Sequence, residues 1–226
     1  MPVLNEADGL EASVRALDGL GLREIVIVDG GSSDASLAIA ARLAGAADRA
    51  LPVRVVQSAA GRAQQMNRGA CVALADVLLF LHADTTLPPG ALDSVRAAIR
   101  GGRTWGWFDV RLDGQRTMFR VIERMMNLRS ALTGIATGDQ ALFVLRDTFT
   151  LLGGFAPLPL MEDIDLSRRL KWTGGPAILH TPVVTSTRRW RAGGLWRTVL
   201  RMWMLRLLYS LGVSPLRLAD YYRPVR

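Results

Sequence analysis

Two apolar runs that lead into acidic residues constrain the fold of this chain more than any other feature. Residues 25–28 read Ile-Val-Ile-Val and lead into Asp29, and residues 77–81 read Val-Leu-Leu-Phe-Leu and lead into His82 and Asp84. Short, continuously apolar runs predict buried strands. Acids at the carboxyl ends of parallel strands lie at the edge where open α/β sheets bind ligands. The chain is therefore expected to form an α/β fold with its functional site at that edge.

Strand-like and helix-like segments alternate up to about residue 112 and then follow a less regular rhythm. This alternation predicts a mixed, mainly parallel sheet with helices on both faces. The predicted strands cover residues 24–29, 53–57, 77–81, 107–112 and 141–145. The predicted helices cover residues 35–43, 62–74, 88–99 and 117–132, and a further helix begins near Glu162.

A basic tail rich in Trp and Leu, residues 187–226, is expected to be distinct from a main domain of residues 1–186. Its helical segment, residues 194–209, is interrupted by Arg197, Arg201 and Arg206. A membrane-spanning helix needs ~20 apolar residues, so this segment does not qualify. Two arrangements stay open: the helix lies on a membrane surface, or it packs on the main domain with its arginines at the rim.

The amino-acid composition limits the kinds of molecule that the chain is expected to bind. The net charge of +8 comes almost entirely from arginine, because Lys171 is the only lysine. A basic balance favours anionic partners such as nucleotides, phosphates, nucleic acids or membrane surfaces. Cys71 is the only cysteine, which excludes an internal disulfide and a cysteine-built metal site. No secretory leader is evident, so we expect a cytoplasmic protein, at the inner face of the membrane if the tail binds lipid.

A glycine-rich turn follows the first apolar run, in residues 29–34. Gly30 and Gly31 permit a tight turn and a close approach of a ligand to the backbone, and the start of the following helix can receive an anion. Asp29 can accept hydrogen bonds from a base or from ribose hydroxyls. The alternative is an ordinary turn with serine caps. The absence of G-x-G-x-x-G excludes a dinucleotide fingerprint.

The segment from His82 to Thr85 has the residue types of a divalent-cation site. Asp84 offers a hard oxygen ligand that suits a cation beside a diphosphate, and His82 offers a further ligand or a hydrogen bond. The segment also resembles the first motif of aspartyl-phosphate phosphatases. His82 replaces the acid that serves as nucleophile there, so this chemistry is disfavoured. The remaining alternative is that Asp84 only caps the following turn.

Glu162 and Asp163 are the third acidic signal, in the predicted first turn of a helix. The helix dipole alone favours acids there, which is the alternative to a catalytic role. An acceptor hydroxyl needs a base within hydrogen-bond reach, and Asp163 is the candidate. Further along, Arg189 and its arginine neighbours suit phosphate oxygens, and Trp190 offers a ring for stacking. The alternative there is a solvated basic segment.

Taken in order, these segments resemble the family 2 glycosyltransferases of GT-A fold. Residues 2–6 resemble P-x-x-N-E, residues 28–34 resemble V-D-D-G-S-x-D, and residues 80–84 resemble the D-x-D region. Gly154-Phe155 followed by Glu162-Asp163 resembles G-F…E-D, and residues 186–190 are similar to the Q-x-x-R-W of processive members. Residues 61–67 and 138–140 look most like a small bacterial subgroup associated with radical-SAM gene neighbourhoods and named for arsenosugar biosynthesis.

The resemblance implies an inverting hexosyl transfer from a UDP- or GDP-sugar to an acceptor hydroxyl, assisted by Mg²⁺ or Mn²⁺. Asp163, with Glu162, is then catalytic, and Asp84, with His82, holds the metal. The residues assigned to nucleotide-sugar binding are Pro2, Glu6, Asp29, Arg62, Asp84, Arg189 and Trp190. The acceptor is expected to be a small or lipid-linked molecule, with peripheral membrane contact through the tail and with no nucleic-acid partner.

Several positions depart from the pattern of the family. Gly30 and His82 replace acids, which leaves fewer carboxylates for a metal. Ser186 replaces the glutamine of Q-x-x-R-W, which argues against a processive polymerase. The first strand of the family normally precedes P-x-x-N-E, so we expect a chain extended upstream of Met1 to be more stable than one that begins there.

Two other functions stay open at this point. A nucleotidyltransferase would build a nucleotide-sugar and release pyrophosphate, but it would want a glycine-rich basic loop where this chain has P-x-x-N-E. A non-catalytic protein that binds nucleotide-sugars or a membrane surface is conceivable because Gly30 and His82 replace acids.

Overall fold

The computed structural model describes residues 1–47, 49–188 and 194–221. The strands are β1 Pro2–Val3, β2 Ile25–Asp29, β3 Val53–Gln57, β4 Val77–Leu79, β5 Thr85–Thr86, β6 Trp105–Leu112, β7 Phe143–Leu145 and β8 Ala177–Thr185. The helices are α1 Ala7–Arg15, α2 Ser36–Ala44, α3 Arg62–Val72, α4 Ala91–Arg100, α5 Thr117–Thr133, α6 Arg146–Leu151, α7 Glu162–Leu170, α8 Leu195–Ser210 and α9 Pro215–Tyr221. Short 3₁₀ turns cover Gly138–Gln140 and Lys171–Thr173.

The strands form two sheets in the described residues. The smaller sheet has the order β1-β2-β3, and its strands are all parallel. The larger sheet has the order β4-β7-β6-β8-β5, in which β6 and β8 are parallel and the other pairs are antiparallel. This arrangement confirms the predicted α/β class with a mixed sheet, and it brings the ends of β1 and β2 to one edge.

One apolar core joins the two sheets. Ile27 of β2 and Val14 of α1 belong to the same buried cluster as Phe108 of β6 and Phe143 of β7. Burial of a large apolar side chain contributes roughly 1.5–3 kcal/mol, so a shared cluster holds the sheets together. The loops that leave both sheets are therefore carried by one packed unit.

A second, aromatic cluster fixes the loop that precedes α7. The rings of Phe80, Phe149 and Phe155 pack with centroids 4.9–5.5 Å apart. The side chain of Asn67 accepts a hydrogen bond from the Phe155 amide at 2.9 Å and donates one to the Phe155 carbonyl at 2.8 Å. The loop of residues 153–159 is thus tied to α3, and this tie positions the start of α7.

A groove separates β2 from β4. It encloses about 330 Å³ and is lined by residues of both strands, including Ile25, Val26 and Leu78. Its lining also includes Met1, whose terminal ammonium donates to the Val26 carbonyl at 2.9 Å. The first strand, β1, has two residues, which pair in the described part of the chain only with Val28 and Asp29.

Every strand and helix predicted from the sequence is present, with ends that differ by a few residues. The predicted strand of residues 77–81 ends at Leu79, although the Phe80 amide still donates to the Leu142 carbonyl at 2.8 Å. The elements that the pattern missed are β1, α1, β5, α6, β8 and α9. Of these, β8 carries His180 and Pro182, which break the apolar alternation expected of a strand.

The tail packs on the main domain along one side. Leu205 of α8 and Leu218 of α9 are buried in a cluster with Met161 and Ile164 of the α7 region. The other side of α8 exposes apolar residues, among them Leu200 and Leu207. Among the described residues no helix combines the length and apolar character needed to span a membrane.

Candidate active site

The loops that follow β1 and β2 are joined by side-chain hydrogen bonds. Asn5, whose φ of 56° lies in the left-handed region, donates its amide to Ser32 Oγ at 3.0 Å and accepts the Ser33 amide at 2.8 Å. Asp34 accepts the amide of Ala7 at 3.1 Å. The polar residues of the P-x-x-N-E-like and V-D-D-G-S-x-D-like segments therefore hold each other in place. This contact fixes the shape of the edge where a ligand is expected.

Asp29, at the end of β2, is nearly inaccessible, with an exposed fraction of 1%. Its Oδ2 accepts the amides of Gly31 at 2.9 Å and Ser32 at 3.1 Å, which closes a side-chain-to-backbone turn. The carboxylate thus has a structural role in the glycine turn. Its role toward a nucleotide stays a prediction.

Gln65 explains why a glycine stands at position 30. Its Nε2 donates to the carbonyls of Val3 at 2.8 Å and Val28 at 2.9 Å and so bridges β1 and β2. A Cβ atom at Gly30 would lie 2.9 Å from Cδ of Gln65. An acidic side chain at this position cannot fit while Gln65 holds the two strands.

An ion pair links the loop after β1 to the start of the tail. Arg188 Nη2 lies 2.9 Å and 2.7 Å from the two carboxylate oxygens of Glu6. Glu6 raises the pKa of Arg188, and the charge of Asp84 adds to this effect. Glu6, Asp84 and Arg188 therefore belong to one charged region. The predicted Arg189 and Trp190 lie outside the described residues.

The turn at Gly138–Gln140 connects two of the predicted site residues. Its Asp139 Oδ1 lies 3.6 Å from His82 Nδ1, and its Gly138 amide donates to Asp163 Oδ2 at 2.9 Å. A Cβ atom at Gly138 would lie 2.5 Å from Cε1 of His82, so only a glycine allows the histidine ring this close. The side chains of Thr137 and Gln140 cap the turn reciprocally.

The helix α7 begins at a strained residue and presents both predicted catalytic acids. Met161 precedes it with a φ of 70°, in a region that residues other than glycine rarely adopt. Glu162, with an exposed fraction of 6%, is buried, and burial followed by the charge of Asp163 raises its pKa to about 7. The nearby Arg62 acts in the opposite direction.

A cavity of about 100 Å³ opens beside these acids, between α5, α8 and the start of α7. The predicted residues Arg62, Glu162 and Asp163 line it. The other predicted residues that the structure describes, Pro2, Glu6, Asp29, His82 and Asp84, do not line it. His82 is nevertheless joined to it through the Gly138–Gln140 turn.

The lining of this cavity includes charged residues that sequence reasoning did not assign to the site, namely Arg129, Asp139 and Arg206. Of these three residues, only Asp139 lies in a segment that the sequence pattern singled out, because residues 138–140 resemble a motif of the small bacterial subgroup. Arg129 and Arg206 lie on helices far apart in the chain, and no sequence spacing links them.

The ligand set for a divalent cation is small. The described residues contain no group of three or more His, Cys, Asp and Glu side chains arranged to hold a metal. Mg²⁺ is commonly held by one or two carboxylates together with substrate phosphates and waters. Asp84 fits such a site, because among the described residues only Thr85 Oγ1, at 3.4 Å, is hydrogen-bonded to its carboxylate, at Oδ1. The residues present therefore suit a metal that a bound diphosphate completes.

Comparison with protein families identifies a relationship for most of the chain. A family model described as glycosyl transferase family 2 matches residues 1–152. No curated protein has significant sequence similarity to the chain.

Several solved structures have the same fold. The mannosyltransferase PcManGT from Pyrobaculum calidifontis, in complex with GDP-Man and Mn²⁺, has a TM-score of 0.67 and 20% sequence identity, covering 100% of this chain and 64% of that chain. S. aureus TarS 1-349 has a TM-score of 0.65 and 16% identity, covering 92% of this chain and 64% of that chain. The complex of TarS 1-349 with UDP-GlcNAc has a TM-score of 0.64 and 16% identity, covering 83% of this chain and 57% of that chain.

At these identities the likeness concerns the fold, and it confirms the predicted GT-A arrangement. The chain spans 64% or less of the length of these structures.

Proposed function

Because the family match extends over residues 1–152, the chain belongs to glycosyl transferase family 2, and we propose that it transfers a hexosyl group from a nucleotide-sugar to an acceptor hydroxyl with inversion. The single observation that carries this proposal is the turn at Gly138–Gln140. Through Asp139 and Gly138, this turn contacts the predicted metal ligand His82 on one side and the predicted base Asp163 on the other. Residues expected on the leaving-group side and on the acceptor side thus meet at one element.

Asp163 is the proposed general base. Its two oxygens accept the amides of Gly138 at 2.9 Å and Ile164 at 2.8 Å, which orients the carboxylate toward the cavity it lines. In the proposed step, Asp163 takes the proton of the acceptor hydroxyl while the acceptor oxygen forms a bond to the anomeric carbon. The bond from that carbon to the diphosphate breaks, and the nucleoside diphosphate leaves with the electron pair.

Glu162 is the second proposed catalytic residue. Its pKa, raised to about 7 by burial, lets it hold or release a proton near neutral pH, which suits an acid–base group. When Glu162 is protonated, it is neutral and places no second negative charge next to Asp163.

The donor is proposed to bind on the side of β1 and β2. Asp29 accepts from the base or the ribose, and Pro2, Glu6 and Arg62 line the nucleotide pocket. Asp84, with His82, holds Mg²⁺ or Mn²⁺, which would neutralise the charge that develops on the diphosphate. Arg189 and Trp190 are assigned to the phosphates and to stacking. GDP-Man and UDP-GlcNAc, bound in the related structures, are the first donors to test.

The acceptor is proposed to be a small or lipid-linked molecule, met at the cytoplasmic face of a membrane. Leu200, Trp203, Leu207 and Leu211 are spaced along one face of α8 and its end, and all are mostly exposed. An apolar stripe beside arginines suits an interfacial helix. We keep the assignment to the small bacterial subgroup as part of this proposal, supported by the segments 61–67 and 138–140.

The test compares Asp163→Asn with the wild type in donor binding and in sugar transfer with Mn²⁺ present. Loss of a general base typically lowers the rate about 10²–10⁴-fold, whereas donor affinity should be retained. The matched control is Asp93→Asn, because Asp93 is an exposed acid on α4 whose side chain is 81% exposed.

Full transfer by Asp163→Asn would remove this residue from the role of base. Release of pyrophosphate instead of nucleoside diphosphate would identify a nucleotidyltransferase. Donor binding with neither hydrolysis nor transfer would identify a non-catalytic binding protein.

A further inference from the structure

Two arginines face the same cavity as Asp163 without any part in the reaction proposed above. Arg129 reaches it from α5 and Arg206 reaches it from α8. Both side chains are partly buried. Two guanidinium groups thus enter one small cavity from different helices, and this arrangement calls for a functional explanation.

Burial makes these guanidiniums costly unless an anion meets them. Burial and then the charge of Arg206 lower the pKa of Arg129 to about 10, and burial lowers the pKa of Arg206. Arg129 Nη2 donates to Ser130 Oγ at 3.0 Å, but its Nε is buried without a hydrogen-bond partner among the described residues. Buried charges are normally paired, and the charges of Asp163 and Asp139 offset only part of the effect of burial on the two guanidiniums.

The carboxylates that face the cavity supply only part of the compensation. Asp163 already accepts the amides of Gly138 and Ile164, and Asp139 lies 3.6 Å from His82 Nδ1. Glu162, with a pKa of about 7, is partly neutral at pH 7. Arg62 adds a third guanidinium to the lining. The cavity therefore carries a surplus of positive charge near neutral pH.

We propose that Arg129 and Arg206 bind a phosphate group of the acceptor, next to the hydroxyl that Asp163 deprotonates. Guanidinium groups suit phosphate because they donate two parallel hydrogen bonds to its oxygens. The proposal rests on the glycosyl transfer described above and names the chemical class of its acceptor. The donor diphosphate is the competing anion: of the residues assigned to the donor, Arg62 lines this cavity, but Asp29, His82 and Asp84 do not.

The rest of the lining fits an acceptor with an apolar part beside its anionic group. Met125 and Met126 of α5 face Met202 and Trp203 of α8 across the cavity. An apolar lining lowers the local dielectric and strengthens the attraction between guanidinium and anion. Met125 and Trp203 are also partly exposed at the surface, so an apolar chain can leave the cavity between the two helices.

The proposal is tested by calorimetric titration of the full chain with inorganic phosphate and with octyl phosphate, in the absence of donor and metal. Both ligands should bind the wild type, and Arg129→Gln and Arg206→Gln should each raise the Kd at least tenfold. The matched controls are Arg124→Gln on α5 and Arg197→Gln on α8, because both arginines are exposed and neither lines the cavity. Tighter binding of octyl phosphate identifies a lipid-like acceptor, and equal binding identifies a soluble phosphorylated one.

Thermal melting shows whether each variant is folded. If a glutamine variant is not, Arg129→Lys and Arg206→Lys keep the charge and lose the paired donors, so weaker phosphate binding is expected in them as well. No phosphate binding by the wild type, or unchanged binding in the variants, overturns the proposal.

Steady-state kinetics separate this proposal from the one on which it rests. Phosphate binding that depends on both arginines, together with no transfer from any donor, keeps the anion site and removes the glycosyl transfer. Unchanged kcat/KM of Arg206→Gln with a phosphorylated acceptor keeps the transfer and removes the anionic acceptor. A rise in the KM of the donor alone assigns the arginines to the diphosphate and also overturns the proposal.

Discussion

Glu162 is buried rather than solvated, and its raised pKa predicts how the free energy of unfolding changes with pH. Its pKa is raised from 4.5 to about 7, so between these values the folded protein binds a proton that the unfolded chain has lost. The free energy of unfolding should therefore fall as pH rises from about 4.5 to about 7 and then level off. The shift corresponds to roughly 3 kcal/mol at one pKa unit per ~1.4 kcal/mol.

Glu162→Gln removes this titration, so its stability relative to the wild type should increase from pH 5 to pH 8. Urea denaturation at unit pH intervals measures the difference. Glu11→Gln is the control, because the hydrogen bond from Arg42 lowers the pKa of Glu11 to about 2, below the range of the experiment. Parallel curves for the wild type and Glu162→Gln would show that Glu162 ionises normally in the fold.

Gly30 and Gln65 should be coupled energetically. A methyl group at position 30 would displace the Gln65 side chain and leave the carbonyls of Val3 and Val28 without its donor. We expect Gly30→Ala to cost about 1–3 kcal/mol, the usual cost of an unsatisfied buried polar group. The cost should be much smaller in the Gln65→Ala background, because the clash is then absent.

Chemical denaturation of both single variants and the double variant measures this coupling. Gly9→Ala is the control, since a Cβ atom at Gly9 meets nothing within 4 Å and the residue lies in α1. Additive costs in the double variant would mean that Gln65 does not contact position 30.

At the scale of elements, the sequence predicts what depends on local pattern and misses what depends on distant contacts. The apolar run before Asp29 predicted β2 because nearly all of its side chains are buried. In β8, His180 and Pro182 interrupt the apolar pattern, so the sequence did not predict this strand. The strand is formed by pairing with β6, which is distant in the chain. The turn at Gly138–Gln140 could be noticed as a motif, but its contacts with His82 and Asp163 bridge remote segments.

The groove between β2 and β4 predicts that an added strand would stabilise the protein. The ammonium of Met1 is buried there, and burial lowers its pKa to about 5. Fusing five β-branched apolar residues before Met1 replaces the amine by an amide and offers side chains to the groove. If one such side chain is fully buried, it contributes about 2 kcal/mol, or about 4–8 °C in Tm for a chain of this size.

A five-residue Gly/Ser extension is the control, because it also removes the buried amine but brings no apolar side chains. Calorimetry of the two extended chains measures the difference in Tm. Equal Tm values would show that the groove does not accept a strand.

At the scale of the whole molecule, the tail has two faces with different consequences. Leu205 and Leu218 are fully buried against the region of α7, so this face joins the tail to the proposed catalytic acids. The opposite face of α8 exposes Leu200 at 67% and Leu207 at 62%. The sequence had left packing and membrane contact as alternatives, and the helix has a face suited to each.

The exposed face of α8 predicts binding to anionic membranes. Leu200→Ser together with Leu207→Ser removes apolar area from the proposed contact without touching the cavity lining, so vesicle affinity should fall several-fold while the Tm stays unchanged. Sedimentation with vesicles of phosphatidylcholine and phosphatidylglycerol measures the affinity, and added salt should weaken it because arginines contribute about 1 kcal/mol each near an anionic surface.

The control is Leu74→Ser with Leu151→Ser, which removes exposed leucines of the segment after α3 and of α6. Equal vesicle affinity of the α8 double variant and the wild type would disprove the membrane contact. The contact would also be disproved if the wild type formed a dimer through this stripe in ultracentrifugation and bound no vesicles.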